Sequence, residues 1–191
     1  MGFKVVTVKV EVSARHLHLT QAAIDKLFGK GYKIHKLKDI SQKGQFASRE
    51  VLQVKGAKGK IDKVRIVGPT RPYCQFELSV SDCRSLGIKP TLRVSGNVKN
   101  APLVTVIGPK GRVKVPAIVA WRHLHIPPSK AKELGLNNKQ MIKVRIGGDR
   151  GLVFDKVIVR VHPTFRFRLH LDTDEGNAGL VQASTKAELL I

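Results

Sequence analysis

The chain opens on an alternation. Val6, Val8, Val10 and Val12 fall on one side of an extended segment, with Thr7, Lys9 and Glu11 on the other. A period of two predicts a half-buried strand. The stretch "LTQAAIDKLFGKG" then changes to helical spacing, with Thr20 as N-cap and Gly29 near the end. Further strands are predicted around Val51–Val54, Lys63–Val67, Gln75–Val80 and Thr91–Val94. "GAKGK", "GPTRP" and "SGN" supply the turn chemistry between them.

The same plan then recurs. Val113, Val115, Ala117, Val119 and Trp121 alternate as the first valines do, and "PPSKAKELGLN" predicts a helix soon after them. Strands follow near Ile142–Ile146, Val157–Val161 and Phe165–Leu171. Asp82, Gly87 and Ile88 are echoed by Asp174, Gly179 and Leu180, and Pro69-Thr70 by Pro163-Thr164. Aligned on these anchors, "FELSVSD" lies over "LHLDTD", which sets Glu77 opposite His170. Short strands, frequent turns and few helices predict a mainly β protein of two related small β-barrel domains, made by internal duplication and each carrying short helices. The first is expected over 1–97 and the second over 98–191, with one active site between them. The join near "SGNVKNAP" is soft, because strands can be exchanged between the halves.

Each half contains nearly the same word: "RHLHL" at Arg15–Leu19 and "RHLHI" at Arg122–Ile126. These two words hold four of the seven histidines. Residues i and i+2 of a strand point to one side, so His16 converges with His18, and His123 with His125. Such a pair offers a metal two imidazole nitrogens from one rigid element. Continued strand parity would also put these histidines on the valine face, as core residues. Recurrence of the word at matching places, after a valine-rich strand and before a helix, favours the metal. The alignment supplies a third donor in each half, Glu77 and His170. Two histidines with a glutamate, and three histidines, are both common zinc sets. Glu77 and His170 each fall on the polar side of an alternating segment. His35 and His162 have no partner at useful spacing and read as surface or loop residues.

Charge narrows the partners. Lys+Arg 35 against Asp+Glu 14 gives a net charge of +21, which favours anionic partners. Aromatic residues are only 5%, little stacking surface for single-stranded nucleic acid. The two cysteines, Cys74 and Cys83, form neither a CxxC motif nor a disulfide framework. No apolar run reads as a signal peptide or a membrane span. Neither "IGPKGRVK" nor "KGAKGK" is a P-loop. No GxSxG motif appears.

Taken in order, "VSARHLHLT", "FASREVL", "KGKIDKVRIVGPTRPYCQFELSVSD", "AWRHLHI" and "HLDTDEGNAG" closely resemble the PduL-type phosphate acyltransferases, or phosphate propanoyltransferases. The resemblance implies two β-barrel domains and two metal ions per chain, normally zinc. It also implies the reversible reaction of acyl-CoA and phosphate to acyl phosphate and CoA. Carried over by position, one metal falls to His16, His18 and Glu77 and the other to His123, His125 and His170. The phosphate-binding arginine falls on Arg71, and the CoA contacts on Val12, Ser13, Ala14, Lys58, Arg65 and Asn177. Arg71 and the CoA contacts rest on the resemblance alone. In an extended strand Arg71 and Glu77 would stand about 20 Å apart, so the chain is expected to turn near Pro69–Pro72 or Arg71 to arrive from another direction.

No membrane is expected as partner, since no segment is long and apolar enough to span one, and no specific nucleic acid, since that would leave the duplicated histidine word unexplained; a homo-oligomer stays open. Members that enter bacterial microcompartments carry an amphipathic extension ahead of the first strand, whereas strand pattern begins here at once after Met1. A cytoplasmic protein acting on acetyl-CoA is therefore expected at least as much as one acting on propanoyl-CoA in propanediol degradation. Two other classes stay open at this point: a basic nucleic-acid-binding β-barrel and a dinuclear zinc hydrolase of thioesters or phosphate esters.

Overall fold

The computed structural model describes residues 5–191. The expected onset of strand pattern directly after Met1 lies partly outside them. In chain order the elements are β1 (Val6–Val12), β2 (His16–His18), α1 (Gln21–Phe28), β3 (Lys36–Asp39), β4 (Phe46–Lys55), β5 (Lys60–Gly68), β6 (Gln75–Glu77), α2 (Val80–Leu86) and β7 (Leu92–Arg93). They continue with β8 (Leu103–Ile107), β9 (Arg112–Ala120), β10 (His123–Ile126), α3 (Pro128–Glu133), β11 (Met141–Ile146), β12 (Leu152–Val161), β13 (Arg168–Leu171), α4 (Thr173–Ala178) and β14 (Lys186–Leu190).

The strands form two six-stranded barrels. In one, β4, β5, β2, β6, β9 and β8 pair in that order and β8 closes on β4. Strands β3 and β7 extend it at β4 and β9. In the other, β1, β13, β10, β12, β11 and β14 pair in order and β14 closes on β1. The mainly β, two-barrel architecture is thus as the pattern predicts.

The chain is divided between them differently from a cut at 97/98. One compact unit is Ala14–Ala120; the other joins the stretch ending at Ser13 to Trp121–Ile191. Pairing explains the division. Strand β1 lies parallel to β13, with Glu11 beside His170, and antiparallel to β14. Strands β8 and β9 complete the Ala14–Ala120 barrel. This is strand exchange between the two sequence halves.

The exchange also resets side-chain phase. Strand β1 ends at Val12 and β2 starts at His16 in the other unit, and β9 and β10 are separated in the same way. The valine parity therefore does not run on into the histidines. Leu17 is fully buried with Ile66 and Phe76 in one core, so the flanking His16 and His18 point to the opposite face of their barrel. Leu124, buried with Val159 and Leu169, does the same for His123 and His125.

Two short helices follow the third-donor strands where the alternation predicts more strand or none. Strand β6 stops at Glu77, and Ser79 becomes the N-cap of α2 in a capping box with Asp82. Strand β13 stops at Leu171, and Asp172 caps α4 in a capping box with Glu175. The N-cap Thr20 and the terminal Gly29 of α1 are as predicted. "GAKG" and "GPKG" are hairpin tips pressed on helix ends. Lys58 N–H donates to Leu86 O at the end of α2, and Lys110 N–H to Leu27 O at the end of α1. A Cβ on Gly59 would lie 2.5 Å from Ser85 O, and one on Gly108 2.7 Å from Leu27 O. Among the described residues, no helix is long and apolar enough to cross a membrane.

Candidate metal centres

Each unit carries one three-donor cluster on the outer face of its barrel. In the Ala14–Ala120 unit, β2 runs antiparallel to β6 with His16 directly opposite Glu77 and His18 opposite Gln75. In the other unit, β10 runs antiparallel to β13 with His123 opposite His170. The equivalence proposed by aligning the halves is therefore an equivalence of ladder positions. His16, His18 and Glu77 bring their ligand atoms within 4.8 Å of one another, and so do His123, His125 and His170.

Local hydrogen bonds set the imidazoles. His16 Nδ1 lies 2.9 Å from Ala14 O, and His18 Nδ1 3.1 Å from Val67 O. A carbonyl only accepts, so each Nδ1 carries the proton and each Nε2 keeps its lone pair. The two Nε2 atoms face each other at 3.1 Å. Glu77 Oε2 is 3.8 Å from His16 Nε2, and Oε1 is 3.9 Å from His18 Nε2. Tetrahedral zinc with bonds near 2.0–2.1 Å separates its ligands by roughly 3.3–3.5 Å. Three lone-pair donors aimed at one point at nearly that spacing fit a divalent cation. Burial, then the charges of His16 and Arg71, push His18 down to about 3 against the pull of Glu77, so its ring stays neutral.

In the second cluster, His123 Nδ1 lies 2.7 Å from Trp121 O, which again directs Nε2 inward. The rings of His123 and His170 stack at 5.0 Å, and His125 lies 4.5 Å from both. Burial first, then the neighbouring histidines and Arg160, hold His125 well below the usual histidine range. Phe165 covers its ring at 3.7 Å. This donor set also fits a zinc-like ion.

Side chains that the sequence reading did not single out hold these donors. Glu77 Oε1 accepts from Gln75 Nε2 and from Ser95 Oγ, both at 2.6 Å, and Gly96 N–H holds the Gln75 amide at 2.8 Å. Glu77 and Gln75 are buried, so the polar side of this segment is not a wet face. Arg15 grips Asp82, and Arg122 Nε reaches Glu175 at 2.7 Å. In each repeat, then, the arginine of the RHLH word holds the third helical residue of the capping box after the third donor. Burial, then the charge of Asp172, raise Glu175 above the usual carboxylate range, with Arg122 working against them. The doubled arginine was the available signal; Ser95 left none.

Arg71 lies in the turn after β5. Its N–H donates to Leu19 O at 2.9 Å, next to the end of β2, and its charge acts on His18. The turn removes the separation an extended strand would impose. Its guanidinium donates to Gln45 Oε1 at 3.1 Å and Tyr73 Oη at 3.4 Å. Of the expected CoA contacts, Ala14 supplies the carbonyl for His16, and Arg65 stands in register beside His16. Lys58 is at the hairpin tip on α2, with its backbone N–H already used. Val12, Ser13 and Asn177 belong to the other unit, where Val12 packs on Gly176 of α4. His35 has the partner its sequence spacing hid: Nδ1 lies 2.8 Å from buried Glu50.

Comparison with known proteins supplies the chemistry of relatives. The family model described as phosphate propanoyltransferase matches residues 9–182. A phosphate propanoyltransferase of Priestia megaterium is 44% identical over 177 residues, covering 92% of this chain and 82% of the relative. Those of Leptotrichia buccalis and Thermotoga maritima are 42% and 40% identical, each covering 90% of this chain and 82% and 83% of the relative.

Proposed function

This chain belongs to the phosphate propanoyltransferase family and is thus a phosphate acyltransferase; from that premise we propose that it is zinc-dependent, with two metal ions, and interconverts a short-chain acyl-CoA and phosphate with acyl phosphate and CoA. The acyl group is propanoyl, as in the relatives' names, or acetyl. In the forward direction a phosphate oxygen bonds to the thioester carbon, the C–S bond breaks, and CoA leaves as its thiolate.

The observation that carries this reading is Arg71 tied beside a three-donor set. A guanidinium grips phosphate oxygens as a bidentate fork. Gln45 and Tyr73 limit the arrangements open to Arg71, which lowers the cost of ordering it around phosphate. His16, His18 and Glu77 would hold one ion, and His123, His125 and His170 the other. A bound divalent ion supplies Lewis acidity toward a thioester carbonyl or a departing thiolate. His18 stays neutral and keeps its Nε2 lone pair available, while Gln75 and Ser95 fix the Glu77 carboxylate. Val12, Ser13, Ala14, Lys58, Arg65 and Asn177 would contact CoA, and the net charge of +21 draws anionic substrates in.

The test is CoA release from acetyl-, propanoyl- and longer acyl-CoA, with and without phosphate. Release should require phosphate, or arsenate in its place, and cease with chelator and in His16→Ala. Arg71→Lys should raise the KM for phosphate about tenfold or more, since an ammonium cannot make the fork. Phosphate-independent release of free acid would instead identify a hydrolase, and chelator-resistant activity would sink the metal role.

A further inference from the structure

We propose that Trp121 is a positioning residue of the His123–His125–His170 centre: its indole fastens to a bulge in β12, and its carbonyl then sets the His123 ring for the ion. The inference deepens the two-metal reading above and rests on it. Trp121 lies between β9 and β10, where the chain crosses from one unit to the other, outside both strands. Its carbonyl accepts from His123 Nδ1 at 2.7 Å, the bond that leaves Nε2 for a metal. A partner of this kind fixes both the tautomer and the orientation of a ligand imidazole. It can do so only if the Trp121 peptide is itself held in place.

The bulge holds it. Ile142 pairs with Val157 and Val144 with Phe154, so two steps along β11 face three along β12. Within the extra step Lys156 takes left-handed backbone, at φ 54°, and a bulge removes its groups from regular ladder pairing. Two carbonyls of the bulge turn to the crossing instead. Trp121 Nε1 donates to Lys156 O at 2.7 Å, and Arg122 Nη1 to Asp155 O at 3.2 Å. Ile158 N–H then donates to Arg122 O at 3.1 Å, and the ladder resumes with Ile158 beside His123. The two residues before His123 are thus fastened at three points to one segment of β12.

The first centre has the bulge without this fastening. Asp62-Lys63-Val64 repeats Asp155-Lys156-Val157. Lys63 is also left-handed, at φ 57°, where two steps of β4 face three of β5. In the place of Trp121 stands Ala14, whose carbonyl accepts from His16 Nδ1 at 2.9 Å. Alanine has no side-chain donor to send to the bulge. The chain's single tryptophan therefore marks one centre and not the other. It is half-buried and belongs to neither hydrophobic core, so packing of a barrel interior does not account for it.

Zinc is titrated into chelator-stripped protein against a chromophoric competitor, with tryptophan emission followed alongside. Wild type should show two classes of site, and His123→Ala should abolish one of them. Trp121→Phe keeps the carbonyl and an aromatic ring but loses the indole N–H. It should weaken the class that His123→Ala abolishes about tenfold and leave the other within about twofold. In wild type the emission should shift as that class fills, and in His123→Ala it should not move. The wild-type emission carries the test even if Trp121→Phe does not fold. An affinity of that class within about twofold of wild type in Trp121→Phe, equal weakening of both classes, or emission unmoved while that class fills would each overturn the assignment and leave the two-metal reading standing. Wild type that takes up no zinc would overturn both.

Discussion

Arg15 donates twice to Asp82, Nε to Oδ2 and Nη2 to Oδ1, each at 2.9 Å. Asp82 is in turn buried in the capping box that starts α2 two residues after Glu77. One fork thus ties the residue before His16 to the helix that follows the third donor.

Replacing that fork should loosen the centre more than the fold. Arg15 is 42% exposed, so Arg15→Lys should cost under about 1 kcal/mol of stability. A lysine cannot span both oxygens, so zinc retention at the first centre should fall about tenfold. Arg122→Lys should do the same at the second centre through Glu175. Thermal melts beside metal analysis after timed dialysis against chelator separate the two effects. A large melting shift with metal fully retained would make the arginines structural.

The glycines of the hairpin tips should tolerate no side chain. Gly56→Ala puts a Cβ into the backbone of Leu86, and Gly111→Ala puts one 2.5 Å from Lys26 O. Backbone at a helix end cannot yield as a flexible side chain does. Each should cost about 2 kcal/mol, or roughly 4–8 °C in Tm. Gly147→Ala meets nothing within 4 Å and serves as the control, expected within about 0.5 kcal/mol. Equal melting of all three would refute the close approach.

Glu50 should make stability depend on acid. Its carboxylate accepts from His35 N–H, His35 Nδ1 and Tyr32 Oη. Burial pushes this group up, but the bonds from His35 outweigh it and hold it below the usual carboxylate range. A carboxylate depressed in the folded state stabilises fully above its unfolded value, about 4.3, and loses that contribution as pH falls through the folded value. Glu50→Gln should therefore cost about 1.5–3 kcal/mol at pH 7, with the gap to wild type closing as pH falls through the folded value. Urea unfolding at pH 7 and through a series of more acidic values measures it; a gap that persists unchanged throughout contradicts the ionised role.

What could be read in advance was whatever duplication copied. The words at His16 and His123 repeat in sequence, so Glu77 and His170 could be placed by alignment, and the ladders put them at equivalent positions. Helices α2 and α4 were not legible. Each is under two turns, and Ser79 and Asp172 sit where alternation simply continues, so only the hydrogen bonds reveal them as caps. Ser95 acts from a loop, which no local period encodes, whereas Gln75 sits two residues before Glu77 on the same strand, where period two does place it. The valine parity misled because Ser13 and Trp121 are crossings between units, where period-two counting loses its phase.

The position of β1 has a consequence for synthesis. The Ala14–Ala120 barrel is one continuous stretch, so a ribosome delivers all six of its strands together. The other barrel is made with its first strand early and its last partners β13 and β14 more than 150 residues later. Until then β1 is a strand with one valine face and open edges, the kind of segment that pairs wrongly or recruits a neighbour. The alternating Thr7, Lys9 and Glu11 make that waiting strand half polar and charged, a built-in guard against premature association.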